Sequence, residues 1–152
     1  MPYSNEYTNM ILDWSMGKRE SLPKQNKVYV GFCRNDPEAE DTYGVFTELS
    51  GDTYGRILVS QLGETYPAII GSATDRVISN IGQIANNKAT ADWETANGIG
   101  FFTTETGGSP FWFGKLSAAV TTVAGAVMLI DPGALRIGLK KQDEEIAATA
   151  SA

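Results

Sequence analysis

Turn chemistry interrupts this chain at short intervals along most of its length. SGD at 50–52, GET at 63–65, NNK at 86–88, TGGSP at 106–110, VAG at 123–125 and DPG at 131–133 are all sequences that bend a backbone. No long helix fits between such breaks, and the pieces that remain are short and apolar. The clearest is KVYVGFCR at 27–34, where Val28, Val30 and Phe32 alternate with Tyr29, Gly31 and Cys33, so neither face of the strand is polar. Further strands are predicted at 45–49, 56–60, 68–70, 77–84, 98–103, 111–116, 126–130 and 135–139. Many short strands separated by turns predict a mainly β, single-domain fold of the β-sandwich or jelly-roll kind.

One segment departs from this pattern. In SNEYTNMILDWSMGK, Tyr7, Met10, Ile11 and Trp14 recur at the spacing of one helical face, Ser4 is a suitable N-cap, and Gly17 is placed to end the helix. A helix of about thirteen residues is marginal alone in water, so the stripe is expected to pack on its own domain or on a neighbouring subunit. The predicted organisation is therefore an N-terminal arm and amphipathic helix at 1–20, a β-sandwich at 27–139 and a polar C-terminal extension at 140–152 that only a partner would order.

Composition removes several functions. The 152-residue chain has no histidine, which deprives it of the commonest general base, metal ligand and near-neutral pH switch. Its net charge is −6 and its basic residues are scattered, so nucleic acid is not an expected partner. Neither a secretory signal nor a membrane-spanning run is expected, and synthesis in a cytoplasm follows. Cys33 lies in the apolar strand and reads as a small buried thiol.

Candidate chemistry is equally sparse. The acidic loop NDPEAEDTYG at 35–44 lacks the residue order of a calcium loop and reads as a solvated connection. The carboxylates Asp75, Asp92, Glu94, Glu105 and Asp131 fall at turns and strand ends, where solvation and capping explain them. Serine-nucleophile, phosphate-loop and dinucleotide motifs are missing from the sequence. The expectation is a protein without catalytic residues, cofactor or metal, acting by binding.

The aromatic hairpin GFFTTETGGSPFWFG at 100–114 could serve as a core, a sugar platform or a protein interface. Alternation puts Phe111 and Phe113 on one face and Trp112 on the other, and splits Phe101 from Phe102. One face must be core. The other carries more ring area than a solvated sheet normally shows, so a second sheet or another subunit should cover it.

Taken in order, the N-terminal helix, the YVGF strand leading to a DP loop, ELSGDTYGR, ATADW, the GFF strand, the GG turn before an aromatic segment, and a final L-x-I-x-L strand resemble a family of small tailed-bacteriophage virion proteins labelled phage tail fibre proteins. The resemblance runs from Ser4 to Leu139 and rests on Ser50, Gly51, Tyr54 and Arg56, on Ala91, Asp92 and Trp93, and on Gly107, Gly108 and Gly114. Two stretches depart from it: 62–79 is unusually apolar, and the tail after Leu139 is additional. Tyr54 and Trp93 read as anchors whose polar tips find backbone partners, and Asp92 as a turn cap.

A short, repeat-free chain with this resemblance implies a virion structural protein, assembled in the host cytoplasm. The role expected first is a capsid decoration or cement protein that binds the major capsid protein as a homotrimer. The alternative is a tail, baseplate or short-fibre part that contacts tail proteins, with 35–44 or TTETGGSP touching the host; a free carbohydrate-binding module comes third. The interface residues expected are Tyr7, Met10, Ile11 and Trp14 of the helix and Phe101, Phe111, Trp112 and Phe113 of the hairpin. Neither nucleic acid nor membrane is an expected partner.

Overall fold

The computed structural model describes residues 3–22, 26–62 and 69–138. The predicted helix is present as α1, Asn5–Ser15. The Ser4 hydroxyl accepts the Tyr7 N–H at 3.2 Å, satisfying one of the open donors of the first turn. At the other end Gly17 takes a φ of 72°, and the N–H groups of Gly17 and Lys18 reach back to Trp14 O and Asp13 O at 3.2 and 2.7 Å. A left-handed residue is what this double closure requires, and glycine adopts it without strain.

The fold is mainly β and sandwich-like. Its principal layer is an antiparallel four-stranded sheet in the order β2-β1-β5-β6, formed by Ile57–Gln61, Lys27–Cys33, Ala96–Phe102 and Trp112–Val120. The central strands β1 and β5 have the least polar sequences, consistent with burial on both faces. On one face Val30, Phe32, Ile99 and Phe101 join a core completed by Val59, Ile84, Trp93, Met128, Leu135 and Ile137. That side is closed by two small ribbons. One pairs β3, Val77–Ser79, with β8, Arg136–Gly138; the other pairs β4, Ile84–Ala85, with β7, Leu129–Ile130.

The opposite face is covered by chain without regular strands. Residues 34–56 leave β1, turn, and return across the sheet, and glycines let them approach closely. A side chain on Gly100 would lie 2.7 Å from the Phe46 ring, and one on Gly98 would lie 2.6 Å from Cys33 Sγ and from Pro37. Gly31 and Gly100 are direct cross-strand partners, so the sheet carries a shallow trough here.

Several predicted strands contract. Residues 45–49 form only a bridge between Glu48 and Cys33, with Arg34 N–H on Thr47 O and Leu49 N–H on Phe32 O, because β2 already occupies the rest of that edge. The run 77–84 breaks into β3 and β4 at Asn80, whose buried amide donates to Gly82 O and Asp131 O, both at 2.9 Å, and accepts from Leu135 N–H. Of 68–70, Ile70 bridges Asn80 and Ala68 lies outside the described residues. Residues 126–130 narrow to β7, and 135–139 to β8, with Leu139 also outside. The expected C-terminal extension, 140–152, lies outside the described residues as well.

The hairpin leading into β3 turns through Asp75 and Arg76, both left-handed at φ 52° and 66°. Asp tolerates this region through local hydrogen bonding, whereas arginine has no such compensation. Arg76→Gly should therefore raise the free energy of unfolding by about 1 kcal/mol in a denaturant titration, with an unchanged m-value.

Candidate functional site

The aromatic hairpin forms a socket for the N-terminal arm. The Ser4 N–H donates to Phe111 O at 2.9 Å, and Tyr3 bridges Trp112 at the outer edge of β6. The Tyr3 ring lies 4.1 Å from that of Trp112 and 5.2 Å from that of Tyr7, and Tyr7 lies 5.2 Å from Phe111. Tyr43 completes the cluster, its hydroxyl donating to Tyr3 O at 3.3 Å while its ring meets Phe113 edge-on at 5.1 Å. Tilted and edge-to-face pairs of this kind contribute about 0.5–1.5 kcal/mol each beyond their burial.

This socket holds only the beginning of α1. Tyr7, Met10 and Ile11 are half-buried and no residue of the helix is fully buried. Beyond them Leu12, Trp14 and Met16 are exposed by 56%, 48% and 73%. The eleven-residue helix is thus anchored towards its N-terminal end and leaves three large apolar side chains in water at the other.

The eight residues expected at an interface thus separate. Trp14 is open to solvent; Tyr7, Met10 and Ile11 are partly covered; Phe111 and Trp112 are half-buried beside Tyr7 and Tyr3. Phe101 and Phe113 correct the expectation. Both are interior, Phe101 because it faces the sandwich core and Phe113 because the returning loop and Tyr43 close over it. Leu12 and Met16 fall off the predicted stripe, which is why periodicity passed over them.

The tip of the hairpin, 103–109, is exposed throughout and held from below. Arg56, with its side chain only 3% accessible, donates from Nη1 to Thr104 O at 2.9 Å and Gly107 O at 2.7 Å. The same guanidinium lies 3.5 Å above the Phe102 ring and is forked onto Glu48, with Nε 3.1 Å from Oε1 and 3.2 Å from Oε2. The Glu48 carboxylate also accepts the Tyr54 hydroxyl at 2.8 Å, and that oxygen accepts the Phe32 N–H at 2.9 Å where β2 no longer reaches. Burial pushes the Tyr54 phenol well above its ordinary range, so it remains a donor.

SGDTYGR and ATADW pack together. Gly51 lies against the Trp93 indole so closely that a Cβ would sit 2.3 Å from the ring. Asp52 accepts from Thr90 and, at 3.4 Å, from Trp93 Nε1, so the indole finds a carboxylate rather than the expected backbone partner. Ser50 donates to Glu94 at 2.8 Å, and Arg34 pairs with the other oxygen of the same carboxylate. The Arg34 hydrogen bond, followed by those from Ser50, holds Glu94 below the usual carboxylate range. Asp92 caps a turn by accepting Ala124 N–H at 2.8 Å. These contacts serve packing.

The acidic loop is similarly engaged: Asp36 caps Glu38 N–H at 2.9 Å and pairs with Lys115 at 3.4 Å. Among the described residues no group of His, Cys, Asp or Glu is arranged to hold a metal ion, and no helix is long and apolar enough to cross a membrane. Cys33 is fully buried, and burial pushes its thiol up to about 12.

A family model described as Podophage GP4 fiber I protein gp80 matches residues 2–138. No curated protein matches the chain.

Two outcomes follow from the geometry. Arg56→Ala should destabilise the fold by about 3–5 kcal/mol in chemical denaturation, because it leaves Glu48 unpaired in a largely buried position, and should speed amide exchange across 103–109. Cys33 should resist alkylation at pH 8 in the native protein and react stoichiometrically once denaturant is added, as mass spectrometry of iodoacetamide-treated samples will record.

Proposed function

The chain belongs to the Podophage GP4 fiber I protein gp80 family, and from that premise we propose that it is a fibre-type structural module on the virion surface, joined to neighbouring virion proteins through α1 and working in several copies. The observation that carries this reading is the exposed half of α1. Leu12 and Trp14, with Met16 at the C-cap, stand in water beside the partly covered Tyr7, Met10 and Ile11. Covering these side chains would stabilise the complex by about 1.5–3 kcal/mol for each one fully buried, before the cost of association.

The work of such a module is thermodynamic. It acts by binding rather than catalysis, and a contact made only in the assembled particle stabilises that assembly by its own binding free energy, multiplied over every copy. The tip 103–109 suits an outward-facing surface, since Arg56 pins its backbone in advance and reduces the ordering cost of any contact. Assembly in the host cytoplasm and self-association as a homotrimer belong to the same reading. A capsid decoration role, with the major capsid protein beneath α1, is favoured by the compact, repeat-free chain; a copy number near that of the capsid protein on purified particles would select it over a fibre position.

Trp14→Ala should lower incorporation into particles at least about tenfold, as measured by quantitative mass spectrometry of purified virions, while the melting temperature of the isolated protein stays within a degree or two. Full incorporation of this variant together with Leu12→Ala and Met16→Ala would overturn the role assigned to α1.

A further inference from the structure

The N-terminal arm meets the hairpin as an added piece of sheet. The Ser4 N–H reaches Phe111 O at 2.9 Å and Tyr3 bridges Trp112, so extended chain is laid on the outer edge of β6, the terminal strand of the four-stranded sheet. The Tyr3 ring lies 4.1 Å from Trp112, the Tyr7 ring lies 5.2 Å from Phe111, and the Tyr43 hydroxyl donates to Tyr3 O. These contacts join residues 3–7 on one side to residues 43, 111 and 112 on the other.

Little besides the socket ties that segment to its own body. No residue of α1 is fully buried, and residues 12–21 are exposed without a break. Among the described residues that follow the helix, the hydrogen bonds are local: the N–H groups of Gly17 and Lys18 return to α1, and Arg19 Nε donates to Ser21 O at 2.9 Å. A side chain at Gly17 would meet nothing within 4 Å, so this joint is packed against neither sheet nor loop. Residues 17–26, which lead to β1, could span at most about 35 Å when extended. A domain of this size has a radius of gyration of about 15 Å, which puts the socket of an adjacent copy within reach.

We propose that residues 3–16 are exchanged between copies of this chain, the arm of one seating in the hairpin socket of its neighbour. Fit decides the occupant. The segment whose backbone bonds and ring spacing match this socket is residues 3–7 of this same sequence, and a second copy carries it unchanged. An exchanged arm makes the same hydrogen bonds and ring contacts as a closed one, so the two forms differ chiefly in effective concentration. A short flexible linker sets that concentration at about millimolar, and copies held side by side in an assembly meet each other's arms at a comparable one. Exchange adds a gain of its own: Leu12, Trp14 and Met16, left in water by the closed form, then lie on the segment that runs between two bodies. The inference rests on the reading that the protein works in several copies, and names the contact that links them.

The test uses the full chain as wild type, as an arm variant with Tyr3→Ala and Tyr7→Ala, as a socket variant with Trp112→Ala, and as an equimolar mixture of the two variants. Each is followed by sedimentation equilibrium from micromolar to hundreds of micromolar. The expected result is a self-associating wild type, variants that alone associate at least about tenfold more weakly, and a mixture that recovers association as one-to-one pairs, because the intact arm of one enters the intact socket of the other. A wild type that associates while the mixture stays as weak as its components would overturn exchange and leave the multi-copy reading standing. A wild type that stays monomeric over the whole range would overturn both. Should a variant misfold by circular dichroism, isotope-filtered NMR of mixed labelled and unlabelled wild type decides: Overhauser contacts must cross from Tyr3 of one copy to Trp112 of another, and contacts confined to single chains contradict the proposal.

Discussion

The buried guanidinium of Arg56 connects the parts of this molecule that secondary structure leaves separate. The face of the sheet opposite the ribbons is covered by a loop excursion, and loops lack a ladder of their own to bind them. Arg56 supplies the missing connections at one point: it forks onto Glu48 of the returning chain, holds two carbonyls of the hairpin tip and lies on the Phe102 ring of the sheet. Tyr54 extends the same network to the backbone of β1. Lysine could not substitute, because the arrangement uses the fork, the plane and the number of donors of arginine together.

Much of the architecture was legible in the residues. The Ser4 cap, Gly17 stop and apolar face located α1, and the two-sided apolar pattern of 27–33 announced a central strand. The motifs around Gly51 and Trp93 were visible as motifs, yet their meeting was not, since nothing local says that a glycine is small in order to receive a distant indole. Strand extents were the least legible. Val, Ile and aromatic residues at 45–49 and 77–84 satisfy β propensity, but pairing depends on which edge is already occupied and on buried side chains such as Asn80.

Interface residues were partly legible for a related reason. Alternation separates Phe101 from Phe102 and Trp112 from Phe113, but Phe111 precedes β6 and packs with Trp112 on the core side rather than with Phe113; both faces turn out to be covered, one by the core and the other by the return of 34–56 with Tyr43. The rings at 111 and 112 then face the N-terminal arm rather than open solvent. The exposed apolar side chains at the end of the helix are Trp14, which the stripe selects, and Leu12 and Met16, which no amphipathic pattern selects. Val45, Leu62 and Ile81 are exposed as well, each on a loop or turn.

The central claim is that α1 is an attachment element, and a cryo-electron-microscopy reconstruction of intact particles tests it directly. The expected density shows Leu12, Trp14 and Met16 covered by a neighbouring virion chain, with Tyr3 and Tyr7 still seated against Trp112 and Phe111. A reconstruction in which these three side chains remain in solvent, while other surfaces of the protein make every contact with the particle, would contradict it.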